Sequence, residues 1–371
     1  MRVPLRLLPA SGHFPLLLLS FQLIPTSAFS LHALPSRLSR ERGTHLRTAT
    51  ETAPVVPVMG STEEGKLAYS YIEEHDVAKQ SILDKYEGFV FDMDGVLWEG
   101  ATLIPKARET VEYLMHAGKK VFFVTNNSSA TRKQYIAKLK KLGYPELKPE
   151  VIYCAAAAVA KYMEHIGYKG KVFVLGGEGL REELSAVDGL EILPKDYWEA
   201  SKQFPTPLEM ANEEIDFDAK CVVMGFDQYF NYWKLGYATR LLTGNPDCLF
   251  IISNKDKLFP CGGGKRLPGT GAFIEALEMA TSRRGHIVAK PGPFIIDDIC
   301  ESFSIPRESL CMIGDNLHTD IDFAISNGIG ACMVETGVSQ RDQIGRDRNP
   351  VPHFVLPTVA VLLAPSFESR L

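Results

Sequence analysis

The chain has 371 residues, of which 45% are apolar and 23% charged, with a formal net charge of −5. This composition is typical of a globular protein with a hydrophobic core, and the length allows two domains. The mild acidity gives no sign of a nucleic acid partner, and no apolar window is long enough for a membrane-spanning helix, so neither is expected as a partner of the mature chain.

Residues 1–65 differ in composition from the rest of the chain. Arg2 and Arg6 precede the short apolar block Phe14–Pro25, and small residues follow it up to Ala28, which is the layout of a secretory signal peptide. The next stretch is rich in Ser, Thr and Arg and poor in acids, as in a transit peptide. The tandem resembles plastid precursors, so we expect import into the plastid (chloroplast stroma) and removal of this leader. The mitochondrion and the cytoplasm are the alternatives.

From about residue 66, short apolar runs alternate with amphipathic stretches. The runs Phe89–Phe91 and Val121–Val124 predict strands, and the apolar spacing after each run predicts a helix. The helix after the second strand is expected to end at Gly143. Because continuously apolar strands alternate with helices, we predict an α/β fold with a Rossmann-like parallel sheet covered on both faces.

Two later segments, ending at Lys290 and at Asp315, repeat this strand-then-polar pattern. Between the two groups, residues 165–286 have strands and helices of their own. We therefore predict a core made of residues 85–164 and 287–365, with an α/β cap domain of residues 165–286 inserted into it.

The seven cysteines are odd in number, and none forms a Cys-x-x-Cys pair. Most lie in apolar runs that are predicted strands or helices. This usage is typical of reduced, buried thiols and favours neither a disulfide framework nor a zinc site.

Polar residues of complementary kinds follow four apolar strands, where ligands of parallel α/β sheets collect. The Asp-x-Asp-Gly at the first strand end is by itself also typical of a surface turn. Close carboxylates repel and are costly to bury unpaired, but a Mg²⁺ ion and a lysine would neutralise them, so the set predicts a hard-cation site beside an anion site. The residues are Asp92, Asp94, Thr125, Asn126, Lys290, Asp315 and Asp320.

The segments FDMDGVLWEG, VTNNSS, AKPGP and MIGDNLHTDI occur in this order and resemble the four motifs of the haloacid dehalogenase superfamily of phosphohydrolases. The Asp-x-Asp-Gly-x-x-Trp version, with a large cap between the second and third motifs, is similar to the 4-nitrophenylphosphatase-like group. That group includes phosphoglycolate phosphatase and pyridoxal phosphate phosphatase. The resemblance covers residues 85–365 and implies the haloacid dehalogenase fold and a phosphatase activity.

The resemblance also implies roles for the acidic residues. Asp92 would attack phosphorus to form an aspartyl-phosphate, and Asp94 would protonate the leaving alkoxide and then activate water. Mg²⁺ would be held by Asp92, Asp315 and the main-chain carbonyl of Asp94. Asp320 would orient the water shell of this ion.

Further roles are implied for the residues expected around the phosphate. Gly95 would let the chain turn closely past it. Thr125 and Asn126 would donate hydrogen bonds to its oxygens. Lys290 would balance the charge that phosphate and nucleophile bring together.

A cap over a compact site favours a small phosphorylated metabolite over a phosphoprotein, by steric access. The stretches Gly225–Leu235 and Asn245–Asp256 resemble those of plant-type phosphoglycolate phosphatases, so 2-phosphoglycolate is the expected substrate and photorespiration the expected role. Pyridoxal phosphate and glycerol phosphate are alternative substrates. A mutase and a catalytically silent binding protein on the same fold are the alternatives of other classes.

Three cap residues are candidates for contact with the substrate. Tyr229 and Phe230 are candidates to shape the pocket, although packing in the cap core is the favoured interpretation. Lys234 would meet a substrate carboxylate, although a solvated helix face is the favoured interpretation. Relatives often dimerise through the cap, so a homodimer is expected.

Overall fold

Two parallel β-sheets dominate the protein, whose computed structural model describes residues 69–73, 78–195, 206–261, 265–364 and 367. All of these residues belong to one of the two compact units into which the chain divides, Val55–Leu371. The predicted leader, residues 1–65, lies outside the described residues.

The secondary structure of the described residues alternates strands and helices, as the sequence predicts. The strands are β1 (Ser70–Tyr71), β2 (Gly88–Phe91), β3 (Trp98–Glu99), β4 (Thr102–Leu103), β5 (Lys120–Thr125), β6 (Ile152–Cys154), β7 (Gly170–Leu175), β8 (Leu190–Leu193), β9 (Ala219–Met224), β10 (Leu249–Ile252), β11 (Leu258–Pro260), β12 (Arg266–Pro268), β13 (His286–Ile287), β14 (Leu310–Gly314), β15 (Gly330–Val334) and β16 (Phe354–Leu356). The α-helices are α1 (Ala78–Lys85), α2 (Ala107–His116), α3 (Arg132–Lys141), α4 (Ala155–His165), α5 (Glu178–Ser185), α6 (Pro207–Asn212), α7 (Tyr232–Gly244), α8 (Thr270–Thr281), α9 (Phe294–Phe303) and α10 (Asp322–Ser326). Within this part of the chain, no helix has both the length and the apolar character needed to cross a bilayer.

The first sheet has the strand order β1-β16-β15-β14-β2-β5-β6, and all of its pairs are parallel. Its central strand β2 lies between β14 and β5, and Phe89, Val90 and Phe91 are fully buried because helices cover both faces. The parallel α/β fold predicted from the apolar runs is thereby confirmed. Since β2, β5 and β14 run in the same direction, their carboxyl ends meet at one edge of the sheet.

The helices beside this sheet follow from their local sequences. In α2, the buried residues Ala107, Val111 and Leu114 recur at helical spacing and face the sheet. Thr131 begins α3 with a capping box. The helix ends just before Gly143, whose φ of +83° is a conformation that glycine adopts without strain, so the predicted end is confirmed.

The second sheet has the order β13-β10-β9-β7-β8, also with parallel pairs throughout, and it has a hydrophobic core cluster of its own. The apolar run before Lys290 predicts a strand of the first sheet, and this prediction is wrong. Instead, β13 pairs with β10 at the edge of the second sheet. An apolar run such as His286–Ala289 suits either buried parallel sheet, so its composition does not tell which one it joins.

The cysteines of the chain are free thiols, and five of the seven are buried, as their apolar surroundings predicted. Burial raises the pKa of Cys154 and of Cys248, the latter to about 11. These thiols therefore remain protonated and act as small apolar core residues.

Candidate active site

A buried lysine joins two of the predicted site residues at the carboxyl edge of the first sheet. Asp92 directly follows β2, and Lys290 Nζ donates to Asp92 Oδ1 at 2.6 Å. The same nitrogen donates to Asp320 Oδ1 at 2.7 Å. Lys290 is only 2% exposed, so its charge depends on these two carboxylates rather than on water.

Asp315 completes a compact acidic group with these two carboxylates. One carboxylate oxygen from each of Asp92, Asp315 and Asp320 lies within 4.8 Å of the others. Asp315 Oδ2 accepts a hydrogen bond from Val338 N at 2.6 Å. The structure thus brings the ends of β2 and β14 together, as the strand order of a parallel sheet dictates.

Asp320 is held by hydrogen bonds to both of its carboxylate oxygens. Oδ1 accepts from Lys290, while Oδ2 accepts from the main-chain nitrogens of Asp315 and Asn316 at 3.2 and 3.1 Å. Because both oxygens are engaged, Asp320 is better placed to orient neighbouring groups than to bind a cation directly.

Glycine is required where the chain turns past Asp315. Gly95 has a φ of +85°, and a Cβ at this residue would lie 2.5 Å from Asp315 Oδ2. A Cβ on Gly337 would also collide with the Asp315 carboxylate. The sequence predicts Gly95 beside the phosphate and gives no sign of Gly337, since no local pattern relates these glycines to Asp315.

Asp94 is not one of the three clustered carboxylates, and its side chain is held by a tryptophan. Trp98 Nε1 donates to Asp94 Oδ1 at 2.7 Å. Trp98 is fully buried, and Lys138 Nζ lies 3.8 Å from its ring centroid. The sequence analysis noted this tryptophan only as part of the motif, although its spacing of four from Asp94 was the available signal.

Asn126 uses both hydrogens of its side-chain amide within the protein. Nδ2 donates to Asp256 Oδ1 at 2.8 Å and to the main-chain oxygen of Lys290 at 3.1 Å. Its Oδ1 is buried without a hydrogen-bond partner in the described part of the chain. The preceding residue, Thr125, is buried at the end of β5, and its Oγ1 accepts from Asn127 N at 3.2 Å.

One of the three candidate cap residues, Lys234, is placed differently from its favoured interpretation. Lys234 is fully buried, and its Nζ forms an ion pair with the equally buried Asp227 at 2.7 Å, so the solvated helix face was wrong. Phe230 stacks on Phe273 with a centroid distance of 4.8 Å, which fits the favoured packing in the cap core. Tyr229 is half-buried, and its main-chain nitrogen donates to Asp227 Oδ1 at 2.8 Å.

The electrostatics of the acidic group fit a divalent cation. Burial, followed by the charge of Asp320, raises the pKa of Asp315 to about 7. Burial likewise raises the pKa of Asp92, although Lys290 opposes the shift. Burial alone would lower the pKa of Lys290, but Asp320 and Asp92 outweigh it and raise the pKa. One ammonium does not neutralise three buried carboxylates, and carboxylate oxygens are the ligands that hard cations prefer.

We expect Mg²⁺ to raise the Tm of the protein more at about pH 8 than at about pH 5. The folded-state pKa of Asp315, about 7, exceeds its ordinary value of 3.8, so without a cation stability falls as the pH rises between these values. A bound cation replaces the proton and removes this loss. The measurement is thermal unfolding in EDTA and in Mg²⁺ at both pH values. An equal Tm shift at both would contradict the prediction.

The sequence is similar to those of known hydrolases, which agrees with the chemistry of this site. Residues 89–189 match the family model described as haloacid dehalogenase-like hydrolase, and residues 287–362 match that described as HAD-hydrolase-like. Phosphoglycolate phosphatase 1A, chloroplastic, of Arabidopsis thaliana is 36% identical over 289 residues, which are 76% of this chain and 78% of that protein. Glycerol-3-phosphate phosphatase of Gallus gallus is 34% identical over 298 residues, 78% of this chain and 94% of that protein.

A solved structure gives the same result for the fold. The 4-nitrophenylphosphatase of Thermotoga maritima has a TM-score of 0.64 and 28% identity, covering 76% of this chain and 98% of that one. The chain therefore belongs to the haloacid dehalogenase-like hydrolases and has their Rossmann-like fold. Within that family it is a phosphatase, a phosphoric monoester hydrolase similar to the phosphoglycolate phosphatases.

Proposed function

We propose that the protein is a Mg²⁺-dependent phosphatase that hydrolyses 2-phosphoglycolate to glycolate and phosphate. The observation that carries the chemistry is the buried group of Asp92, Asp315 and Asp320 around Lys290. The substrate is supported by the similarity to relatives named phosphoglycolate phosphatase. Glycerol 3-phosphate is the second candidate, because a relative of that name is 34% identical.

Asp92 is the proposed nucleophile. The hydrogen bond from Lys290 favours its ionised form and fixes the carboxylate at the strand end, where it can attack phosphorus and carry the phosphoryl group. Asp315 and the main-chain carbonyl of Asp94 would complete its cation site. When bound there, the cation supplies positive charge to the phosphoryl oxygens.

Asp94 is the proposed general acid and base. Trp98 holds its Oδ1, which leaves Oδ2 to give a proton to the leaving alkoxide and later to take one from the attacking water. Lys290 balances the negative charge as phosphate approaches Asp92. Hydrolysis of the aspartyl-phosphate then restores the free carboxylate of Asp92.

The test is phosphate release by a chain that begins at residue 66. Four esters are compared at equal low concentration in Mg²⁺ and in EDTA: 2-phosphoglycolate, glycerol 3-phosphate, pyridoxal phosphate and 4-nitrophenyl phosphate. We expect the largest kcat/KM with 2-phosphoglycolate and no turnover in EDTA. A preference for another ester would overturn the substrate, and isomerised product without free phosphate would indicate a mutase.

We expect Trp98→Phe to lower kcat/KM for 2-phosphoglycolate by about tenfold or more, and for 4-nitrophenyl phosphate much less. Without the hydrogen bond from Trp98, Asp94 is poorly oriented, and an alkoxide needs its proton whereas nitrophenolate leaves as a stable anion. Because kcat/KM reports the steps up to release of the leaving group, comparing the two esters isolates general acid catalysis.

The matched control for this variant is Trp233→Phe. Trp233 also donates through Nε1 to a carboxylate, Glu213 Oε2, at 2.7 Å, but it lies in the cap. Its substitution should affect both esters alike. Equal losses for the two esters in Trp98→Phe would show that Trp98 does not act through the proton of Asp94.

We further propose that residues 1–65 direct the protein to a plastid. The tandem of signal-like and transit-like composition supports this location, and so does the similarity to a relative named chloroplastic. A fluorescent protein fused behind residues 1–65 should enter the plastid of an alga with additional plastid membranes. Fluorescence in mitochondria or the cytoplasm would contradict the proposal.

A further inference from the structure

Lys290 is attached to the second sheet, although its side chain serves the carboxyl edge of the first. Ala289, the residue before it, donates its main-chain N–H to Ser253 O at 2.8 Å. Ser253 directly follows β10, and three residues later the same segment reaches Asp256. One end of the second sheet, which is the sheet of the predicted cap and is called the cap sheet below, therefore carries both Lys290 and Asp256.

Asn126 joins this end of the cap sheet to the end of β5. Its amide nitrogen donates to Asp256 Oδ1 at 2.8 Å and to Lys290 O at 3.1 Å, while Asn254 Nδ2 donates to Asn126 O at 2.7 Å. Asn126 and Asn254 are 8% and 1% exposed, so these bonds are shielded from water. The orientation of the Asn126 side-chain amide follows from its partners. Asp256 and the Lys290 carbonyl are both acceptors, so the donor Nδ2 must face them.

Asp256 is not well suited to a purely stabilising role. Its carboxyl group is half-buried, and burial raises its pKa above the ordinary value, although Asn126 and Lys290 oppose the shift. A half-buried carboxyl group gains little stability from one neutral donor. The position of Asp256 fits another role better. Its hydrogen bond fixes the rotation of the Asn126 amide and thereby the hydrogen bond from Asn126 to Lys290 O.

We propose that Asp256 is a positioning residue of the phosphatase reaction. Through Asn126 it holds the main chain of Lys290 where Nζ reaches Asp92 at 2.6 Å. Without it, the Asn126 amide rotates, and the main-chain oxygen of Lys290 loses its hydrogen bond from Asn126. The inference rests on the roles proposed for Asp92 and Lys290.

The test compares two substitutions of similar shape. Asp256→Asn keeps an oxygen acceptor for Asn126, whereas Asp256→Leu removes it. We expect Leu to lower kcat about 100-fold with little change in KM, as small misplacements of catalytic groups do, and Asn to retain most of the activity. Glu275→Ala, at an exposed cap carboxylate paired with Lys255, is the control and should behave as wild type.

A double variant separates positioning from general damage to the cap. If Asp256 acts through Asn126, then Asn126→Ala combined with Asp256→Leu should be no slower than Asn126→Ala alone. Thermal unfolding verifies that each variant is folded. Wild-type kcat in Asp256→Leu, equal losses in Leu and Asn, or additive losses in the double variant would each overturn the inference. Inactivity of the wild-type chain on every ester would instead contradict the proposed function.

Discussion

Asp92→Asn is expected to lower phosphate release by at least about 10³-fold while the protein stays folded. An amide does not attack phosphorus, and Asp320, the other carboxylate beside Lys290, has both of its oxygens engaged in hydrogen bonds within the protein. The same change removes one of three carboxylates that lie within 4.8 Å of one another, so in EDTA the Tm should be equal to or above that of the wild type.

Steady-state phosphate release and thermal unfolding in EDTA measure the two effects separately. Asp188→Asn is the matched control, because Asp188 is 95% exposed in its pair with Lys169. It should change neither quantity. Appreciable turnover by purified Asp92→Asn would exclude Asp92 as the nucleophile, whereas loss of activity together with a lower Tm would indicate a structural role.

Lys290→Met is expected to reduce phosphate release about as much as Asp92→Asn does. Unlike Asp92→Asn, it should lower the stability of the protein. The substitution leaves Asp92 and Asp320 buried without the ammonium between them, and breaking a buried ion pair in this way costs about 3–5 kcal/mol. Because Mg²⁺ bound in the proposed site would supply positive charge to the same carboxylates, it should restore more stability to this variant than to the wild type.

Chemical unfolding with and without Mg²⁺ tests this prediction, and the chain offers a matched control. Lys234 is also a fully buried lysine in an ion pair, with Asp227 at 2.7 Å, but it lies in the cap. Lys234→Met should lose comparable stability without recovery by Mg²⁺. Recovery in both variants, or in neither, would mean that the cation does not bind beside Lys290.

The central residues of the site can be predicted from the sequence, because adjacent strands of a parallel sheet have their carboxyl ends side by side. Asp92, Thr125 and Asp315 each follow an apolar run, and adjacent parallel strands bring such residues to one edge. The burial of β2 and the end of α3 at Gly143 follow from equally local signals. These features depend on the residue and its own strand or helix, which are legible in the sequence.

The features that sequence reasoning missed depend on which segments meet in space. Lys234 was assigned to a solvated face because helical spacing does not reveal a partner such as Asp227, which lies outside its helix. The hydrogen bonds from Trp98 to Asp94 and from Asn126 to Asp256 join residues whose positions are set by turns. Apart from the spacing of four between Asp94 and Trp98, no sequence pattern encodes these contacts, so the folded structure is needed to identify them.

The pairing of β13 with β10 determines where this chain can be cut when caps are exchanged between relatives. A graft ending at residue 286 would separate His286 from Ile287 and leave the carbonyls of Ile252 and Ser253 to face a foreign strand. A graft that continues through Lys290 keeps this lysine attached to the second sheet, beside which it folds. The lysine thus travels with the second sheet, and a chimera inherits both together.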